Sequence, residues 1–300
     1  MGKILILSDD RMGHLNQSLA FVKYSDMSFD VVSVKFKARW CKLLSYIFDN
    51  LGIYTESLFD MEIDQTNDYD IVVGTGSTTS YLTKVLARKM NARSVSMMLP
   101  RGFRYDFDVI FAQSHDHPPK LENITEIPAN FSYVEPKGIY HARKKSIGIV
   151  IGGDNKIFTL SKDKLQEQID AIVTLYPGYE IAITTSPRTS EQIEDLVASY
   201  GFDYEVIYSK NAINPIADFL DQCETVFLTG DSTSMISETV SYGKSNIVIL
   251  PLAQQEEKKN KFTRFIDTLQ QKEYLHIFDG TVKNKNKKLD FHAYLKQVNL

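Results

Sequence analysis

The stretch from Thr225 to Pro251, TVFLTGDSTSMISETVSYGKSNIVILP, constrains the fold of this chain more than any other. Val226, Phe227 and Leu228 form a short apolar run that stops at the Gly230-Asp231 turn signal. Asp231 or Ser232 caps the helix that follows, and Gly243 ends it just before Lys244. Ile247 to Leu250 is a second apolar run, as expected of a strand buried on both faces of a parallel sheet. A βαβ unit of this kind leaves backbone N–H groups unpaired at the carboxyl end of its first strand, where Ser232, Thr233 and Ser234 add hydroxyls. Such a helix start suits a phosphate. Glu238 lies one turn beyond Ser234 on the same face, where its carboxylate can accept the two hydroxyls of a ribose. A capped core helix with an exposed Glu is the alternative that this stretch leaves open.

The 300-residue chain has room for two such domains. With 43% hydrophobic and 24% charged residues it is globular, and a net charge of -4 gives no reason to expect nucleic acid as a partner. Cys41 and Cys223 have no CxxC partner, which fits a reducing compartment. The N-terminus, MGKILILSDD, reaches acidic residues too early for a signal peptide, and no apolar run approaches membrane-spanning length. A cytoplasmic protein is the expectation.

Lys3 to Leu7 reads as the first strand, then the polar loop from Ser8 to His14, then a helix from about Asn16 to Tyr24. That loop sets acids, Arg11 and His14 at the carboxyl end of a first strand, where open α/β sheets place ligands. Histidine is the side chain that ordinarily titrates nearest neutrality, so His14 suits a general base, with Asp9 or Asp10 to orient it. After a strand at Phe29 to Val34, cations at Lys35, Lys37, Arg39 and Lys42 flank Trp40 and lead into the apolar stretch Leu43 to Phe48. This resembles a surface helix that touches anionic headgroups at the cytoplasmic face of the inner membrane, against the alternative of a core helix with a basic cap. Tyr69 to Val73 runs into Gly74-Thr75-Gly76-Ser77, which lacks the ending of a Walker loop but lets N–H groups and hydroxyls approach a substrate. Pro100-Arg101 turns the chain after the strand Ser94 to Leu99. Asp106-Phe107-Asp108 reads as strand entry and His115-Asp116-His117 as a loop, so no metal site is expected.

The pattern lapses between Phe131 and Lys145, which reads as a linker separating domains 1–140 and 146–300. Ile147 to Ile151 then restarts it. Gly152-Gly153 follows that strand, Thr185-Ser186-Pro187-Arg188 follows the next, and Ser232 to Ser234 the one after, so three strand-end loops carry phosphate-friendly groups. Lys258 to Leu269 reads as an amphipathic helix that crosses back onto the first domain, and Lys283, Lys285, Lys287 and Lys288 as a solvated basic loop.

Taken in order, Ser8-Asp9-x-Arg11-x-Gly13-His14-x-Asn16-Gln17, Gly74-Thr75-Gly76-Ser77, Gly152-Gly153, Thr184-Thr185-Ser186-x-Arg188 and Asp231-Ser232-x-Ser234-Met235-Ile236-Ser237-Glu238 resemble a family of bacterial glycosyltransferases named after the plant mitochondrial fission Elm protein. More distantly, Gly13-His14 and Ser237-Glu238 are similar to elements of the enzyme that adds N-acetylglucosamine to the peptidoglycan lipid intermediate. Where the family loop usually reads Asp-Gly-Arg-Pro, this chain has Asp10 and Met12. The resemblance implies an α/β fold of GT-B type, two Rossmann-like domains facing an interdomain cleft. It implies transfer of a sugar from a nucleotide-sugar donor to a lipid-linked, lipopolysaccharide or other cell-envelope glycan acceptor, without metal or cofactor. His14 and Asp9 would be catalytic. Arg11, Asn16, Gln17, Gly74, Thr75, Gly76, Ser77 and Arg101 would bind the acceptor. Gly152, Gly153, Thr185, Ser186, Arg188, Asp231, Ser232, Ser234, Met235 and Glu238 would bind the donor. A nucleotide-sugar epimerase of the same fold, or a non-catalytic interaction protein, are the other classes compatible with the sequence.

Overall fold

The first apolar run forms β1 (Lys3–Ser8), in which Ile4, Leu5 and Ile6 are fully buried. The computed structural model describes residues 2–63, 68–254, 261–283 and 285–298. The chain divides into two units, Met1–Tyr133 with Asp290–Leu300, and Val134–Leu289.

Unit 1 continues from β1 with α1 (Met12–Ser25) and β2 (Ser28–Ser33). The short antiparallel strands β3 (Lys35–Phe36) and β4 (Phe59–Asp60) bracket α2 (Arg39–Leu51). Then come β5 (Ile71–Gly74), α3 (Ser80–Met90), β6 (Arg93–Ser96), β7 (Val109–Gln113) and β8 (Ile124–Ile127). The sheet runs β2-β1-β5-β6-β7-β8, with all neighbours parallel. Helix α1 starts at Met12, well before the start expected near Asn16, because its N-cap is Arg11, which makes no side-chain cap bond. The Arg11 carbonyl instead accepts from the His14 and Leu15 N–H groups at 2.9 and 3.0 Å. His14 therefore stands in the first turn of a helix rather than in a loop.

Unit 2 contains β9 (Ser146–Ile151), β10 (Phe158–Thr159), α4 (Lys162–Leu175), β11 (Glu180–Thr185), α5 (Glu191–Ser199), β12 (Tyr204–Val206) and α6 (Ile216–Gln222). It continues with β13 (Thr225–Thr229), α7 (Thr233–Ser241), β14 (Asn246–Leu250), β15 (Ala253–Gln254), α8 (Lys261–Gln271) and β16 (His276–Ile277). Its parallel sheet has the order β12-β11-β9-β13-β14-β16, while β10 and β15 pair separately and antiparallel. Numbered within the sheet, that is 3-2-1-4-5-6, the dinucleotide-binding order. Leu165, Ile169 and Ile172, at helical spacing on α4, close its core against Ile149, Ile183, Phe227 and Val248.

The segment read as a linker is fastened to unit 2. Buried Asp218 accepts from the N–H groups of Lys137, Gly138 and Ile139, and the Tyr140 hydroxyl donates to Glu180. The expected tail helix begins at Lys258. Residues 258–260 lie outside the described ones, and the observed α8 stays in unit 2, burying Phe265, Ile266 and Leu269. The segment that returns to unit 1 is α9 (Phe291–Leu295), where Phe291 stacks on Phe131 at 4.5 Å.

Ligands of open parallel sheets bind at the carboxyl ends of strands where the strand order reverses. The reversal falls between β1 and β5 in unit 1 and between β9 and β13 in unit 2.

Candidate active site

At the reversal in unit 1, the loop after β1 meets the turn after β5. The His14 Nδ1 lies 3.0 and 3.1 Å from the two carboxylate oxygens of Asp9, which is nearly buried. A carboxylate accepts, so Nδ1 carries the proton, and the Nε2 lone pair is left without a partner among the described residues. Gly76 fixes the ring from the other side. It has φ +85, and a Cβ there would lie 2.5 Å from His14 Cε1. Only a residue without a side chain allows both that backbone angle and that approach.

Asp10 does not share the orienting role. Its φ is 61, in the left-handed region that favours glycine. Its carboxylate turns away to accept from the Ser33 hydroxyl at 2.8 Å and to pair with Lys35 at 3.1 Å, and these partners, Ser33 first, lower its pKa.

The other acceptor-side residues divide sharply. Arg11 and Asn16 are exposed, and Arg11 Nε stands 3.8 Å from Asp9. Gln17 is buried and donates to the Gly13 carbonyl at 3.1 Å, so it serves the helix start. The Thr75 hydroxyl is bonded to Ser18 at 2.8 Å inside the unit. Gly74 is the last residue of β5, and the Thr83 and Thr79 hydroxyls fill the space a side chain would need. Arg101 is held by buried Asp116 at 2.9 Å, with its side chain largely exposed. Ser77 has an unforeseen partner: Lys42, from the first turns of α2, donates to its hydroxyl at 3.1 Å. Lys42 reads in sequence as one cation of a basic stretch, and nothing local reveals that it turns inward.

In unit 2 the loops after β9, β11 and β13 do converge, around a protein carboxylate. Asp231 is 2% exposed. It accepts from the Thr229 hydroxyl at 2.6 Å, from an Arg188 guanidinium N–H at 2.6 Å and from the Gly153 N–H at 3.3 Å. The Gly152 N–H donates to Thr229 Oγ1 at 2.7 Å. The N–H groups of the glycine pair, expected to cradle a phosphate, are thus occupied by protein, because a buried carboxylate must be satisfied. The Thr185 hydroxyl is likewise spent on buried Glu194 at 3.0 Å, and the Ser186 hydroxyl accepts from the Arg188 N–H at 3.2 Å. Thr189, which sequence reasoning missed, locks this loop by donating to the Gly152 carbonyl at 2.6 Å.

What stays available is the start of α7. Ser232 is its N-cap, accepting from the Met235 N–H, and the Thr233 and Ser234 N–H groups lack partners among the described residues. Met235 is half-buried and Ser234 exposed. Arg188 keeps the rest of its guanidinium half-exposed. Burial pushes the Glu238 carboxyl up to about 7. Between the ordinary carboxyl range and that value the folded chain holds a proton the unfolded chain has released. Its contribution to stability is therefore greatest in acid and falls as pH rises to about 7, then levels off.

Of the motifs set aside as non-metal, Asp106 pairs with Lys84 and Arg104, and Asp108 accepts from the Ser94 N–H and hydroxyl. His115 and Asp116 lie 3.9 Å apart.

Two Rossmann-like units in one chain define the GT-B class of fold. The glycosyltransferase SnogD from Streptomyces nogalater shares it, at 10% identity and a TM-score of 0.50, over 93% of this chain and 87% of that one. MurG of Acinetobacter baumannii aligns over 95% of this chain and 87% of its own, at 13% identity and a TM-score of 0.48. The chain belongs to the family described as Mitochondrial fission ELM1, whose model matches residues 12–294. Uncharacterized protein RP120 of Rickettsia prowazekii (strain Madrid E) is 23% identical to it over 326 residues, 93% of this chain and 91% of that protein.

Proposed function

We propose that this protein is a nucleotide-sugar-dependent glycosyltransferase that uses neither metal nor cofactor. The observation that carries the reading is the His14–Asp9 pair at the strand-order reversal of unit 1, with Nε2 unpartnered among the described residues. As an acceptor hydroxyl attacks the anomeric carbon of the donor, Nε2 takes its proton, and the Asp9 carboxylate stabilises the imidazolium that forms. The nucleoside diphosphate leaves from unit 2. There the N–H groups at the start of α7 and the Arg188 guanidinium take up the charge that develops on its phosphates. The Glu238 carboxylate accepts the ribose hydroxyls. The acceptor is a lipid-linked or lipopolysaccharide-type glycan of the cell envelope, and the enzyme works in the cytoplasm, at the membrane face.

A thermal-shift panel of nucleoside diphosphates tests the donor half, since a ligand that binds only the folded state raises the melting temperature. At least one should do so, and a flat panel would sink the reading. Glu238→Ala should weaken the nucleotide that binds by about 1–3 kcal/mol. Because the ionised carboxyl is the acceptor, wild-type affinity should rise with pH through about 7, and the variant should lose that dependence. An unchanged, pH-insensitive dissociation constant removes Glu238 from the site.

EDTA should leave transfer intact, because the charge on the leaving phosphates is met by Arg188 and backbone N–H groups. Activity lost in EDTA and restored by magnesium or manganese would contradict the metal-free mechanism.

A further inference from the structure

Helix α2 turns an apolar stripe outward. Trp40 is 63% exposed, Leu43 63%, Ile47 44% and Leu51 68%, and Ile53 just beyond the helix is 44% exposed. Their spacing places them along one side of a helix roughly 20 Å long. Scattered apolar residues on a surface mean little, whereas a contiguous stripe marks a contact. The rotation of the helix is fixed by its other side. Asp49, its sole acid, is fully buried and paired with Lys84 of α3, and Tyr46 stacks on Phe103 at 4.3 Å. The outward orientation is therefore built in.

Charge identifies the occupant. The exposed face of α2 carries no carboxylate, and its first turn, where acids ordinarily favour the helix dipole, holds Arg39 instead. Lys37 stands just before it, and neither cation has a side-chain partner among the described residues. A second copy of α2 would supply no counter-charge in either direction: parallel packing sets Arg39 against Arg39, and antiparallel packing sets it against Leu51. Phosphates of a lipid bilayer supply it. Among the described residues no helix is long and apolar enough to cross a membrane, so the contact is one that lies on the surface.

We infer that α2 is a membrane-docking helix: Trp40, Leu43, Ile47, Leu51 and Ile53 enter the boundary between headgroups and acyl chains of an anionic bilayer, while Lys37 and Arg39 meet its phosphates. Lys42, on the flank of the same helix, reaches the turn that also holds His14. If the glycosyltransferase reading holds, a lipid-linked acceptor thus arrives at the base from the plane of the membrane. The docking itself does not depend on that reading.

Trp40 is the sole tryptophan, so its fluorescence reports this face directly. Vesicles containing phosphatidylglycerol should shift its emission to the blue, and lipids brominated on the acyl chain should quench it. Partitioning should favour these vesicles over pure phosphatidylcholine by about tenfold or more, with the preference shrinking in salt. Leu43→Asp combined with Ile47→Asp should lower partitioning by at least about tenfold without lowering the melting temperature, because both positions are exposed. Lys37→Glu with Arg39→Glu should remove the preference for anionic lipid. Emission unmoved at saturating lipid, or equal binding to both vesicles, would overturn the inference. So would a lipid-free blue shift that grows with protein concentration alongside a dimer in sedimentation. None of these readouts uses the enzymatic reaction, so failure here and failure of glycosyl transfer are separable.

Discussion

His14→Ala is expected to lower turnover by roughly two to four powers of ten while leaving nucleoside diphosphate affinity unchanged. The groups proposed to bind the nucleotide belong to unit 2, whereas His14, Asp9 and Gly76 belong to unit 1. Asp9→Asn tests the division of labour. An amide in place of the carboxylate can still meet Nδ1 but no longer stabilises the imidazolium, so the loss should be smaller than for His14→Ala. A larger loss would make Asp9 the base. Gly76→Ala approaches the same centre from its far side, since the new methyl would fall 2.5 Å from Cε1 of the ring and the backbone angle there suits glycine alone. It should displace the imidazole and lower turnover while the other unit binds nucleotide as before. A fully active His14→Ala enzyme would end the assignment.

The strands of both sheets were legible because a parallel strand covered on both faces is a nearly unbroken apolar run, as Ile4 to Leu7 and Ile247 to Leu250 are. Two glycines and a cap residue at a strand end were equally visible. Partnership was not. Asp231 and Ser232 both read as candidate helix caps; Ser232 is the cap and Asp231 faces inward, because besides neighbouring Thr229 its partners Arg188 and Gly153 come from two other loops. The start of α1 was hidden for a local reason: Arg11 is no capping residue. Helix α2 shows the limit most clearly. Its apolar stretch and flanking cations favour a surface helix but leave a core helix open. The choice is made by Asp49, which finds Lys84 on a helix far along the chain and so turns Leu43 and Ile47 outward.

Asp231→Ala is expected to destabilise unit 2 by about 1–3 kcal/mol, the usual consequence of leaving buried hydrogen-bond donors without their acceptor. The carboxylate satisfies the Thr229 hydroxyl, the Gly153 N–H and one N–H of Arg188, and methyl replaces none of these bonds. The fluorescence of Trp40 cannot register the change, since that residue is exposed and lies in unit 1. Hydrogen exchange of the β9 and β13 amides can, and both strands should lose protection together because they are paired in register from Thr225 with Ile147 to Leu228 with Val150. Gly153→Ala attacks the same cluster by a different route, for its new Cβ would sit 2.0 Å from the Arg188 carbonyl oxygen and must push the two loops apart. Protection equal to wild type in Asp231→Ala would show that the carboxylate contributes nothing to the fold. Protection lost and then restored by millimolar inorganic phosphate would carry a different meaning: a free anion can stand where the carboxylate stands, and the glycine pair regains the phosphate-binding role that its sequence suggests.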